Sequence, residues 1–297
     1  MFIGDGILPL VRHLEERNAS IFHACQLKDL RSYLSLGGVP SHARLEAYRA
    51  QYTRMDTDEI DRVNDVWDKV FVNLGDFGTI FARGGFATPT AYGPITLQLH
   101  PRALLEAVDV AICLRSAGGR GFDRSRESLK TLNDVSQLYR YQVGTRFPDS
   151  QELKFGDTLQ AVFPEAKWPE VSCSVISGQF GIAHVVCILV DPYEIAGSSL
   201  AELVQHEMTV RNMPHKVVER SCQCERRKLY SELARLASEG VDTLEKIVAR
   251  PDVSTQLYKL MQVLAERNLA YQVDRYLRYL CEGTLIPACP YYAKEFK

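Results

Sequence analysis

Trp168-Pro169-Glu170-Val171-Ser172-Cys173-Ser174-Val175-Ile176 is the stretch on which the fold turns. Successive residues of a strand point to opposite faces, so Val171, Cys173 and Val175 look one way and Glu170, Ser172 and Ser174 the other. The apolar face belongs to a core. A polar stripe led by a carboxylate suggests a cleft wall; the plain alternative is a glutamate solvated at the rim. A second strand follows over His184–Val190. It is almost wholly apolar, as a strand buried on both faces is, and Asp191-Pro192 ends it.

Upstream, short strands alternate with helices. Ile21-Phe22-His23-Ala24 reads as a strand, and Leu27, Leu30, Tyr33 and Leu34 recur at helical spacing until Gly37-Gly38. A second helix is expected over Ala43–Arg54. A third starts near Asp56, where Asp56 and Glu59 have capping-box spacing, with Ile60, Val63, Trp67 and Val70 as its apolar stripe. Further strands are expected at Val70–Leu74, Ile95–Leu99 and Val110–Leu114, the last two joined by a short helical segment after Pro101. One longer helix follows over about Ser125–Tyr141.

Past about Gly197 the pattern turns helical, opening with a Ser199/Glu202 capping box. Three stripes follow, through Leu229, Leu233, Leu236 and Ala237, through Leu257, Leu260, Met261 and Leu264, and through Val273, Tyr276, Leu277 and Leu280. The expected class is therefore α+β, with residues 1–197 as a β core with helices and 198–297 as a helical C-terminal domain.

Composition narrows the function classes. At 297 residues, 46% hydrophobic and 24% charged, the chain can build a core without disulfides or metals. The net charge of −2 leaves nucleic-acid contact to local basic patches. No apolar run approaches the roughly 20 residues that span a bilayer, so no membrane partner is expected. The eight scattered cysteines suit a reduced, cytoplasmic setting. Cys222-Gln223-Cys224 with Cys281 and Cys289 lacks C-x-x-C spacing, so no metal is expected. Neither G-x-G-x-x-G after a strand nor a Walker-type loop is present, and no G-x-S-x-G elbow occurs.

Several segments nevertheless fall into a known order. Ile21-Phe22-His23, a helix ending at Gly37, a basic helix, Asp68-Lys69-Val70-Phe71-Val72, and the interval from Glu170 to Val185-Val186-Cys187-Ile188 together resemble the DarT family of DNA ADP-ribosyltransferase toxins. The resemblance covers about residues 20–195 and lies in order and spacing. It implies an ADP-ribosyltransferase-like split β core, NAD as the substrate that is split, and Glu170 as the catalytic carboxylate.

By the same resemblance, His23-Ala24-Cys25 holds NAD, with Cys25 where the family has a hydroxyl, and Ser32 matches a further position near the cofactor. An arginine must organise the cofactor near the scissile bond. Arg44, Arg49, Arg54 and Arg62 all lie in the right region; counting back from Asp68 favours Arg54, counting forward from Gly37 favours Arg62. Arg54 is taken on the strand anchor, with Arg44 as a pyrophosphate contact. Each is otherwise part of a solvated helix face.

The implied acceptor is a nucleic acid, DNA or RNA and single-stranded. Arg115, Arg120, Arg124, Arg126 and Lys130 make a basic cluster, Phe122 is a candidate stacking face, and residues 151–169 form the acceptor-selecting loop. The implied role is that of a toxin or defence effector, with an antitoxin as protein partner. Gly75-Asp76-Phe77-Gly78-Thr79 and Leu114-Arg115-Ser116-Ala117-Gly118 depart from the family pattern, so a thymine acceptor is not carried over. Two rivals stay open: a protein-modifying ADP-ribosyltransferase, and a non-catalytic nucleic-acid-binding protein of the same fold.

Overall fold

A computed structural model describes residues 1–55, 57–76, 93–139, 169–191, 194–195, 197–220, 232–233, 235–237, 239–266, 274 and 277–278. In chain order its strands are β1 (Phe2–Ile3), β2 (Ile21–Cys25), β3 (Gly38–Pro40), β4 (Val70–Asn73), β5 (Ile95–Leu99), β6 (Ala107–Cys113), β7 (Glu170–Val175), β8 (Gln179–Gly181), β9 (Val185–Val190), β10 (Glu194–Ile195), β11 (Ser198–Ser199) and β12 (Lys216–Glu219). The helices are α1 (Ile7–Glu16), α2 (Leu27–Leu36), α3 (His42–Ala47), α4 (Asp58–Val63), α5 (Arg124–Glu127), α6 (Leu132–Ser136), α7 (Leu200–Val210), α8 (Leu244–Val248) and α9 (Thr255–Glu266). The class is α+β, as expected.

Contacts divide the chain into two compact units, residues 1–23, 28–77 and 97–188, and residues 24–27, 78–96 and 189–297. In the first, the main sheet runs β1-β6-β7-β4-β2-β5-β9. β7 pairs antiparallel with β4 on one side, Val72 opposite Val171, and with β6 on the other, Ile112 opposite Val171. Val70, Val72, Val110, Ile112, Val171 and Cys173 are all fully buried, and they form one face. The period-2 reading of β7 therefore holds on its apolar side. The opposite face is less polar than the alternation implied. Ala111 and Cys113 of β6 join Val66, Ala117 and Phe122 in a second small core, with Phe71 packed against it.

A two-stranded sheet of β3 and β8 flanks this one, with Val39 opposite Phe180. Gly38 is obligatory there. A Cβ on it would lie 2.2 Å from the Phe180 carbonyl oxygen, and backbone cannot yield as a side chain can.

Several expected elements are corrected. The helix read over Ala43–Arg54 stops at Ala47. Ser41 caps its start by accepting from the Arg44 N–H. Arg49 then takes a left-handed φ of 52°, while Ala50 N–H donates to Leu45 O, the bond pattern that closes a helix C-terminus. The next helix starts at Asp58, two residues later than expected, and Asp56 lies outside the described residues. Its inner face is not the apolar stripe: Val63 is 84% exposed, Val70 belongs to β4, and the buried positions are Asp58 and Asp61.

Among the described residues, which end here at 139, the single helix expected over Ser125–Tyr141 is two short ones. Ser128 leaves the helical path to bridge Cys113, and Thr131 and Asp134 form a fresh capping box that starts α6. β6 starts earlier than expected, at Ala107. β9 is not buried on both faces throughout, since Val186 is 51% exposed.

In the second unit, Ser199 and Glu202 form the expected capping box of α7. The region is not wholly helical, because β12 intervenes. Buried Arg220, just past β12, donates from Nη1 to Asp191 Oδ1 at 2.8 Å and from Nη2 to Thr96 Oγ1 at 2.8 Å. Leu257 and Met261 of α9 are buried as the helical stripe requires. No helix among the described residues is long and apolar enough to cross a membrane.

Candidate active site

Glu170 opens β7 in the interior of the sheet. Its backbone faces Cys113 of β6 and Asn73 of β4, and Asn73 faces Phe22 of β2. Directly opposed residues of antiparallel strands share a face. Cys113, Glu170, Asn73 and Phe22 therefore form a row across four strands, with the carboxylate in the middle.

The segment after β6 holds that carboxylate. Ala117 N–H donates to Glu170 Oε1 at 2.8 Å and the Ser116 hydroxyl donates to Oε2 at 3.2 Å. Asn64, at the end of α4, fixes the segment in turn, donating from Nδ2 to Ala117 O at 2.6 Å and to Gly119 O at 3.1 Å. Loss of solvation pushes the Glu170 carboxyl up to about 7, against the pull of the Ala117 and Ser116 bonds, and the nearby Asp61 charge adds to the rise. A carboxylate poised near neutral pH, partly exposed and held by two donors, suits general-base and charge-stabilising work.

Asn73, beside Glu170 in the row, is 6% exposed, and its Oδ1 has no hydrogen-bond partner. Buried amide oxygens are normally satisfied. The sequence signal was a single polar residue inside the apolar run Val70–Leu74, too little to single it out. Ser116 and Ala117 were also missed, because their role depends on register across the sheet.

His23 is a tie between elements. Its Nδ1 lies 2.7 Å from Phe71 O and its Nε2 3.1 Å from the Tyr33 hydroxyl. A carbonyl only accepts, so Nδ1 carries the proton and Nε2 accepts from tyrosine. Burial lowers its pKa and keeps the ring neutral. Ala24 and Cys25 complete β2, and the Cys25 side chain is buried at 1% exposure.

Ser32 and Arg54 are linked through one clamp. The Ser32 hydroxyl donates to Gln51 O at 2.5 Å, and Asp29 accepts from Thr53 N–H at 2.6 Å and from the Thr53 hydroxyl at 2.9 Å. α2 thus pins the irregular stretch that carries Arg54. The Arg54 guanidinium is exposed, lies over the Tyr52 ring at 5.9 Å, and acts electrostatically on Asp58. Arg44 has other partners: Nε donates to Gln179 Oε1 and Nη1 to Ser177 O, both at 2.7 Å, tying α3 to the β7–β8 turn.

With this geometry in place, known proteins give the following comparison. The chain is similar to the structure of Thermus sp. 2.9 DarT in complex with ADP-ribosylated ssDNA, with a TM-score of 0.42 and 16% identity over 68% of this chain and 94% of that one. It is similar also to Thermus sp. 2.9 DarT in complex with NAD+, with a TM-score of 0.40 and 16% identity over 68% of this chain and 95% of that one. No protein-family model and no curated protein matches the sequence.

Of the basic cluster expected to meet an acceptor, Arg124 is held inside the fold, whereas Arg115, Arg120, Arg126 and Lys130 are exposed. Arg124 donates to Asp109, to Ser172 Oγ at 2.8 Å and to Ser172 O at 2.7 Å. Arg115 makes a two-pronged pair with Glu127 and Lys130 donates to Ser125 O. Phe122 is 6% exposed and belongs to the small core, so it offers no stacking face. Arg120 and Arg126 remain outward.

A different face combines cations with aromatic rings. Around α3 and α4, Arg44 lies over Tyr48 at 4.7 Å, Arg54 over Tyr52 at 5.9 Å and Arg62 over Trp67 at 3.7 Å. Residues 151–168 and Cys222, Cys224, Cys281 and Cys289 lie outside the described residues.

Proposed function

We propose that this chain splits NAD at the nicotinamide–ribose bond and transfers ADP-ribose to a single-stranded nucleic acid, with Glu170 as the catalytic carboxylate. The observation that carries the reading is the Glu170 carboxylate at the head of an interior strand, held by the Ser116 hydroxyl and the Ala117 N–H. Cleavage of the glycosidic bond builds positive charge on the ribose, which an adjacent carboxylate stabilises. The same group accepts a proton from the attacking nucleophile. Nicotinamide leaves neutral, so no separate acid is needed.

In this reading Arg54 holds the cofactor, a planar fork being suited to pyrophosphate oxygens. His23 fixes β2 against β4 and α2 beside it. The acceptor runs beside the α3–α4 face, where a base can stack on the exposed ring of Tyr48. The sequence resemblance supports a role as a toxin or defence effector restrained by an antitoxin.

Nicotinamide release from NAD, measured with single-stranded DNA, RNA and protein acceptors, tests this. Glu170→Gln lowers the rate by about a hundredfold to ten-thousandfold, and Arg54→Ala raises KM for NAD. Activity confined to protein acceptors would overturn the acceptor assignment, and equal turnover by Glu170→Gln the assignment of the carboxylate.

A further inference from the structure

α3 and α4 meet in a polar contact that NAD cleavage does not use. His42 is the first residue of α3, while Asp58 and Asp61 stand three residues apart on the inner face of α4. One donor atom from each side chain, an imidazole nitrogen and two carboxylate oxygens, lies within 4.8 Å of the other two. Asp58 and Asp61 are each 9% exposed. The contact is set by helical backbone, not by loops.

Its hydrogen bonding is incomplete. Asp58 Oδ1 and His42 Nδ1 are both buried with no hydrogen-bond partner. Each is a lone-pair donor, and two of them in one buried contact with a second carboxylate lack a shared positive partner. The nearby guanidiniums do not fill that place. Arg62 is held by Glu46 and the Trp67 face, Arg54 lies over Tyr52, and among the described residues neither donates to Asp58 or Asp61. The imidazole is also oriented from outside, with its ring 4.6 Å from Trp67 and 5.5 Å from Tyr52.

We propose that His42, Asp58 and Asp61 bind a divalent transition-metal ion, with water completing its coordination. One nitrogen and two carboxylate oxygens, without thiolate, suit zinc, manganese or cobalt; calcium takes all-oxygen sets of higher number. Metal–donor distances of about 2.0–2.2 Å would draw the three atoms to roughly 3.5 Å apart. The ion would clamp α3 to α4 across the turn that carries Arg54.

Manganese titrated into the full chain, followed by loss of the free-ion spin signal, reads the stoichiometry. Cobalt absorption reads the donors, since cysteine ligation gives intense thiolate bands that imidazole and carboxylate do not. The expected result is one ion per chain, no thiolate band, and affinity lowered at least about tenfold in each of Asp61→Asn and His42→Gln. The ion raises Tm in the wild type and not in Asp61→Asn, whose fold is checked by circular dichroism. Absence of binding at millimolar metal, a thiolate band, or unchanged affinity in both variants would overturn the site. None of these readouts uses NAD, so failure here and failure of the transferase reading are separable.

Discussion

The backbone N–H of Ala117 donates to Glu170 Oε1 across 2.8 Å, joining two residues 53 positions apart in sequence. A backbone donor survives any substitution at position 117 except proline. One carboxylate oxygen is therefore anchored by the fold itself, and the hydroxyl of Ser116 completes the hold on the other.

The Glu170 carboxyl, with its ordinary value of 4.5 raised to about 7, sets opposite pH trends for rate and stability. In the proposed reaction the ionised form acts, so nicotinamide release is expected to rise through pH 7 and level above it. The fold favours the protonated form. Stability from this group is complete below its unfolded value and declines as pH rises through 7. Glu170→Gln removes the penalty, so its Tm matches wild type below about pH 4 and exceeds it at pH 8. A Tm difference constant with pH would show an unperturbed carboxyl.

Ser116→Ala deletes a donor to the ionised form and leaves the Ala117 bond in place. The midpoint of the pH–rate profile moves upward, by up to about one unit, while the rate at high pH is nearly kept. An unmoved midpoint would deny the hydroxyl its part.

Arg124 and Arg126 are neighbours with opposite roles. The Arg124 side chain is 12% exposed against Asp109 at 20%, whereas that of Arg126 is 84% exposed. Arg124→Ala leaves the half-buried Asp109 carboxylate with Ser174 but no cation and costs about 2–3 kcal/mol in urea unfolding, while Arg126→Ala stays within about 0.5 kcal/mol. Equal costs would mean that Arg124 braces nothing.

Asn73 trades stability for binding. Its buried Oδ1 is unpartnered, so Asn73→Leu stabilises the free protein by about 1 kcal/mol. In the proposed reaction it removes an acceptor beside Glu170 that a carboxamide N–H can meet, so KM for NAD rises several-fold. Thermal unfolding together with KM decides it; a variant neither more stable nor weaker in binding would leave Asn73 without a role.

Much of the sheet was legible because period-2 alternation survives translation into structure. Ile95–Leu99 is β5 to the residue, and Glu170 does open β7. What failed has physical causes. Arg49 ends α3 in a left-handed conformation that no glycine announced. The inner face of α4 carries two aspartates, close to His42, whereas Ile60 and Val63 carried the helical spacing that the sequence displays. Arg124 read as part of a phosphate patch because its carboxylate partner, Asp109, becomes visible only once β6 is placed. Ser116 and Ala117 reach Glu170 through a register that no local pattern encodes.

Glu170 sits on a strand paired along both edges, by β6 and by β4. Such a strand belongs to the last part of a protein to open, so fraying cannot release it. Heat should therefore not displace the Glu170 backbone before the sheet opens, and the amides of β7 should exchange only in the global transition.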